Sequence, residues 1–199
     1  MGKVYAGLDD RLRHFIVQQS VFFVATAPSC SDGSDGGHVN VSPKGYRDTF
    51  AVLGPTTVAY LDLTGSGAET IAHLRQNARI TIMFCSFDRT PKVLRLYGSG
   101  RVVRPGDRDW DPLSVCFPAE AGSGPDGHRA IIVAELDRVS DSCGYAVPVM
   151  ELREERDLLT QWTERKTPAQ LEEYQVKRNA ASIDGLPALD PVRAHERNA

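Results

Sequence analysis

The amino-acid sequence predicts a mainly β domain, folded as a small antiparallel barrel and flanked by helices. Three observations carry this. Short runs rich in β-branched and aromatic residues fill the first two thirds of the chain at spacings that suit hairpins. One stretch among them, starting at Ser66, switches to a helical period, and helical patterns return only at the two ends. Several short strands would leave exposed edges in an open sheet, and closure into a barrel removes them.

Taken in order, Leu8, Leu12, Phe15 and Ile16 recur at helical spacing, so residues 8–19 read as an amphipathic helix that caps the core. Residues 21–27 are aromatic and β-branched and stop at Pro28, as a buried strand would. Residues 29–37, rich in Ser, Asp and Gly, predict a flexible turn. Residues 38–44 alternate, Val39 and Val41 against Asn40 and Ser42, and Pro43 with Gly45 is expected to end the pairing. Residues 50–53 and 57–63 are two further strands around the turn Gly54-Pro55. Ile71, Leu74 and Ala78 share a helical face, giving a short helix that stops near Asn77. Residues 79–87 and 92–103 form a hairpin across Asp88-Arg-Thr-Pro91, and residues 131–136 supply the last strand.

Residues 105–127, with many Pro, Gly and Asp, are expected to hold one short helix in a loop. Residues 151–165 and 167–178 read as two surface helices, the second opened by a Thr167 cap, Pro168 in the first turn and Gln170. Residues 182–187 read as a turn. The expected organisation is a barrel with its N-terminal helix over 1–149, a helical extension of the same domain over 150–187, and a frayed tail over 188–199.

Composition narrows the function. With 199 residues the chain fits one domain with appendages. Its 23 basic and 26 acidic residues are interspersed, so no nucleic-acid surface is expected. Cys30, Cys85, Cys116 and Cys143 are scattered, without metal or redox spacing, and read as reduced thiols with no metal site. The first ten residues lack the apolar stretch of a secretion signal and no later run is long enough to span a bilayer, so a cytoplasmic protein without a membrane partner is expected.

Four features bear on chemistry. Ser42 and Lys44 flank Pro43 and offer a hydroxyl and an ammonium together, donors that a phosphate accepts, although the same residues would equally make a solvated polar turn. The loop Thr64-Gly-Ser-Gly67 runs into a helix start, where unpaired N–H groups attract phosphate and glycine lets it come close. Glu69 stands three residues after Ser66, which spells a capping box and puts a carboxylate where it would repel that anion. Arg95 sets a permanent charge in the apolar run Val93-Leu-Arg-Leu-Tyr97 and calls either for an ion pair with Asp62 or Glu69, or for a cofactor. His73 reads as a surface or interface histidine, and His38 and His128 receive no role. Trp162 and Tyr174 read as packing anchors. Hydrolase elbow, zinc-protease and Walker signatures are missing, so no catalytic residue is assigned.

On these residues the chain resembles the pyridoxamine 5′-phosphate oxidase-like FMN-binding split-barrel family. The likeness runs through Phe22-Phe-Val-Ala-Thr-Ala27, Val39-Asn-Val-Ser-Pro-Lys-Gly45, Tyr60-Leu-Asp-Leu-Thr-Gly-Ser-Gly67, Arg79-Ile-Thr-Ile-Met-Phe84 and Val93-Leu-Arg-Leu-Tyr-Gly98. A branch of that family also has segments similar to Ser142-Cys-Gly-Tyr-Ala-Val-Pro148 and Asn179-Ala-Ala-Ser-Ile-Asp-Gly-Leu-Pro187. The resemblance implies a six-stranded antiparallel split barrel of Greek-key type, a homodimer, and one FMN in each of two clefts at the subunit interface. It implies cofactor contacts at Val41, Ser42 and Lys44, at Tyr60 and Leu61, and along Gly67 to Thr70 of the phosphate loop; without basic residues in that loop, the phosphate is expected to rely on Ser66, backbone amides, Lys44 and Arg95.

Departures limit what carries over. Glu69 and Thr70 stand where the oxidase has basic residues, Val93 stands where it has a flavin-contacting glutamine, and its C-terminal Arg-Leu-His-Asp-Arg substrate motif is not found. Pyridoxamine phosphate oxidation is therefore not expected. The leading expectation is an FMN-dependent oxidoreductase acting on a small molecule. A non-catalytic flavin-binding or sensory dimer, and an enzyme using deazaflavin or haem, are the alternatives.

Overall fold

A computed structural model of the protein describes residues 2–29, 36–122 and 124–189. Eight strands make one antiparallel sheet: β1 (Val4–Tyr5), β2 (Phe22–Thr26), β3 (Asn40–Lys44), β4 (Phe50–Val52), β5 (Thr57–Leu63), β6 (Arg79–Cys85), β7 (Val93–Val103) and β8 (His128–Ser142). Their order is β3-β2-β6-β7-β8-β5-β4, with β1 also on β8. The sheet curls into a half-barrel, with eight strands rather than six. The short strand β4 is the one expected over residues 50–53, whereas β1, with two residues, is too short to show a period in the sequence.

The helices are α1 (Asp10–Val17), α2 (Glu69–Asn77), α3 (Trp110–Ser114), α4 (Leu158–Glu164) and α5 (Pro168–Arg178). α1 starts after Leu8 because the Asp9 side chain accepts the Leu12 N–H as its cap, and it turns Leu12 and Ile16 into the core. α5 opens with the expected capping box of Thr167 and Gln170. α4 begins only at Leu158, so residues 151–157 lie outside the helix expected there.

The main core lies on the concave side of the sheet. Phe22, Val24, Tyr60, Ile82, Phe84, Leu94, Leu96 and Ile132 meet there under α1 and α2. Phe22, Phe50, Tyr60 and Phe84 form an aromatic cluster with ring centroids 5.0–5.6 Å apart. A second core on the other side of β5 and β8 holds Ala59, Leu61, Ile131, Val133 and Phe117. Buried on both faces, β5 and β8 read as continuous apolar runs.

Several expectations change. Pro43 does not end β3, which runs to Lys44: β3 is an edge strand, so its missing N–H costs no sheet bond. β8 has 15 residues, far beyond the apolar run that marks its middle, because its last part pairs with β1 and β7. At the shift between Tyr97 and Gly98 the strands come so close that a Cβ on Gly98 would lie 1.9 Å from the Glu135 carbonyl oxygen, and only glycine fits. The tail expected to fray from 188 begins with two core residues, Ala188 and Leu189, whose N–H groups bond the carbonyls of Ala180 and Asn179. Residues 190–199, Cys30 and most of the flexible turn expected over 29–37 lie outside the described residues.

Candidate functional site

The open end of the half-barrel is built on a β-bulge. Asp62 pairs with Ala130 and the next residue, Leu63, pairs with His128, so Arg129 is the extra residue. The bulge re-aims Arg129, which regular alternation from Ala130 would send to the other face. Its Nε and Nη2 both donate to Asp62 Oδ2, at 2.8 and 2.7 Å, and Lys44 Nζ from β3 reaches Oδ1 at 3.2 Å. Burial alone would push the Asp62 carboxyl up, but the charges of Arg129 and Lys44 outweigh it and hold it below the carboxylate range. Lys44 also stands 5.8 Å from the centre of the Tyr60 ring.

Arg129 links this cluster to the glycine loop. Its Nη1 donates to the Gly67 carbonyl at 2.8 Å, and Asn179, fully buried at the end of α5, donates to the carbonyls of Gly65 and Gly67 at 3.0 and 3.2 Å. Gln175 bonds the Thr64 hydroxyl at 2.8 Å. The carbonyls on one side of the loop are thus pinned from below, while Ser66 at its tip is exposed and Gly67 takes φ +79° to turn the chain into α2.

α2 starts at Glu69 with Ala68 as its N-cap, and no side chain caps it. The capping box expected from Ser66 and Glu69 does not form, because the helix begins two residues later than that box requires. Instead both Glu69 carboxylate oxygens accept the Ile183 N–H, at 3.1 and 3.2 Å. Ile183 lies in a C-terminal turn bridged by Ala181 and Pro187. The same turn holds β3: Asp184 accepts the His38 N–H at 2.8 Å and faces its Nδ1 at 2.7 Å.

The other predicted positions divide into three groups. Ser42, Lys44, Tyr60 and Thr70 face inward. Thr70 Oγ1 accepts from Asn40 Nδ2 at 3.1 Å, and Thr26 bridges Asn40 to His73 at 2.9 Å. His73 is completely buried, not a surface histidine, and burial holds it below the imidazole range. Among the described residues the buried Ser42 Oγ finds no partner, and Tyr60 Oη ends beside Thr70 without a bond of normal geometry. Leu61 belongs to the second core.

Val41 and Arg95 lie on the convex outer face, with Arg95 in register between Met83 and Ser140. Arg95 bonds Ser142 Oγ at 3.1 Å and pairs with neither Asp62 nor Glu69, since strand alternation sends it away from both. Beside it, Ala25, Val39, Thr81 and Tyr97 border a cleft of about 330 Å³. Val39 and Val41 are exposed, so this face is partly apolar. Arg129, Asn179, Gln175 and His38 were not legible as site residues. Arg129 had one signal, a charge opening the apolar run Ala130-Ile-Ile-Val133, Asn179 had another, as the first residue of a segment similar to a branch of the family, and Gln175 and His38 had none.

The family model for pyridoxamine 5′-phosphate oxidase matches residues 8–143. A curated relative, the pyridoxamine 5′-phosphate oxidase family protein ustO of Aspergillus flavus, is 41% identical over 201 residues, covering 93% of this chain and 77% of the relative. This chain belongs to the pyridoxamine 5′-phosphate oxidase family. The crystal structure of Group A Streptococcus HupZ, 18% identical, superposes on 66% of this chain and 91% of its own with a TM-score of 0.51, a likeness of fold. The match to the oxidase family spans the bulge, the glycine loop and α2, and it ends at Cys143. Asn179 and the C-terminal turn lie beyond that model, within reach of the Aspergillus relative's alignment, and are laid across the glycine loop. No helix among the described residues is long and apolar enough to cross a membrane.

Proposed function

We propose that this protein binds FMN, with the phosphate at the start of α2, and acts as a flavin-dependent oxidoreductase on a small molecule. One observation carries the reading: α2 meets the glycine loop without a side-chain cap, and the one carboxylate beside it is turned onto the Ile183 N–H. A helix start left open in this way presents N–H donors to an anion. The residues present fit a phosphate monoester. The exposed Ser66 hydroxyl and the backbone of residues 66–70 would hold it, and Lys44 keeps N–H donors beyond the one given to Asp62.

Bound FMN would supply the redox chemistry, and the protein its position and surroundings. Tyr60 and Leu61, whose side chains are buried, would act through their backbone. Val41 and Arg95 would meet the flavin from the outer face, which is where a second copy of the chain would complete the cleft. Thr70 would support the site from inside through Asn40. Neither Glu69 nor Thr70 supplies a cation, so affinity would rest on hydrogen bonds more than on charge.

The visible spectrum of the purified protein, with mass analysis of any released ligand and titration of FMN fluorescence, tests this. Flavin absorption or saturable quenching is expected, with a dimer by light scattering. A colourless protein that takes up no FMN overturns the proposal, as does release of haem or a deazaflavin.

A further inference from the structure

We infer that the C-terminal turn is a positioning element of the anion site: it draws the Glu69 carboxylate off the start of α2 and so keeps the helix donors open. The inference rests on the proposed site and extends it to residues beyond the family match. Three observations lead to it.

First, Ser66 and Glu69 have the spacing of a capping box, and a carboxylate in the first turn is favoured by the helix dipole. Left to itself, Glu69 would serve its own helix and occupy the place of an incoming anion. Second, it does not do so here. Both of its oxygens are taken by the Ile183 N–H, and α2 stands without a side-chain cap. Third, the turn that presents this N–H is fixed from three directions. Ser182 Oγ accepts the N–H groups of Asp184 and Leu186, Asp184 holds His38 at the start of β3, and Arg75 of α2 donates to the Ala188 carbonyl.

The donor is a single backbone N–H, so Glu69 remains a competitor for the helix start. Whatever loosens the turn returns the carboxylate to α2 and weakens the anion, and a bound anion favours the latched turn. The charged or titratable groups around the turn are Glu69, His73 and Arg75 from α2, His38 just before β3 and Asp184 itself, with the His73 ring held low by burial. Asn179 acts at the same place from the other side, by pinning the carbonyls of Gly65 and Gly67.

Ile183→Pro removes the donor, and the lost side chain is 73% exposed and packs little. FMN binding, read by fluorescence quenching, should weaken about tenfold, the scale on which a typical helix cap competes. Hydrogen exchange at the amides of residues 66–70 should slow as Glu69 moves onto them. Adding Glu69→Ala should restore both affinity and fast exchange, which repair of a merely damaged fold would not do. Asp184→Ala, which frees the turn without touching its backbone, should shift both readouts the same way by less, and Glu69→Ala should again reverse it. Unchanged exchange and affinity in Ile183→Pro, or a loss that Glu69→Ala leaves in place, overturns the inference. Failure of the native protein to take up FMN overturns the proposed function instead, and the exchange measurement still decides the role of the turn.

Discussion

Asp62 and Glu69 stand at opposite ends of one loop and are held in opposite ways. Asp62 is 1% exposed and is matched by two cations, Arg129 and Lys44. Glu69 is half-buried and is matched by a backbone N–H alone. The first arrangement fixes the end of the barrel, because removing any member strands a charge in the interior. The second leaves a charge that can move, because a single neutral donor is easily exchanged for another. One acidic residue is therefore part of the frame, and the other, on the inference above, governs access to the start of α2.

The comparison breaks most visibly at Asp62. Asp62→Ala strands the guanidinium of Arg129, itself 6% exposed, and is expected to cost about 3–5 kcal/mol in urea unfolding. Asp62→Leu combined with Arg129→Met should recover most of that loss, since apolar side chains carry no desolvation cost. A double variant as unstable as the single would show that the bulge, and not the charge, holds the frame. Next is Asn179→Ala, which leaves the Gly65 and Gly67 carbonyls short of a buried donor, at about 1–3 kcal/mol. Its loop amides should exchange faster, the opposite of the Ile183→Pro effect.

Acidity separates the two regions further. The Asp62 carboxyl is held low by Arg129 and Lys44 against its burial, so its contribution is present above the ordinary 3.8 and is lost as pH falls through the lower folded value. His38 is raised by its hydrogen bond to Asp184 and then by that residue's charge, so its contribution is present below the ordinary 6.5 and is lost as pH rises through the higher folded value. Asp184 is lowered by the His38 N–H and ring, so its share disappears in acid. The latch is thus tightest in mild acid, between 3.8 and 6.5, and loosens above neutrality, where the barrel end keeps its full strength. Exchange at the Asp184 and Leu186 amides against pH should show this; a profile flat through neutrality would contradict it. The smallest effect is expected on the outer face, where Arg95→Ala loses one bond to Ser142 and should change unfolding by less than about 1 kcal/mol.

Much of the fold was legible because period and burial agree. β2, β5, β6 and β7 are apolar runs with turn residues between them, and α1 and α5 carry their own caps. Trp162 and Tyr174 pack edge to face at 4.9 Å, as anchors between α4 and α5 should. What stayed hidden depends on distant pairing. β1 has no pattern of its own, the start of β8 is polar because Arg129 is buried against Asp62, and its far end is polar because residues there alternate between core and solvent. At the site, the Ser66-Gly-Ala-Glu69 spacing gave the right chemistry to the wrong partner: the Glu69 carboxylate does accept a backbone N–H, but one from the C-terminal turn. A bulge such as that at Arg129 leaves no local mark, since its extra residue is counted only against the facing strand.

β8 deserves to be followed back to synthesis. It pairs with β1, β5 and β7 and comes last of the eight strands in the chain. On the ribosome, β5 with β4 and the β3-β2-β6-β7 layer are two separate pieces until it emerges, each with an open strand edge. The bulge and the Asp62–Arg129 contact come into being only when β8 is laid between them, and the C-terminal turn that holds Glu69 follows after that. The barrel is thus complete before the segment that holds Glu69 has left the ribosome.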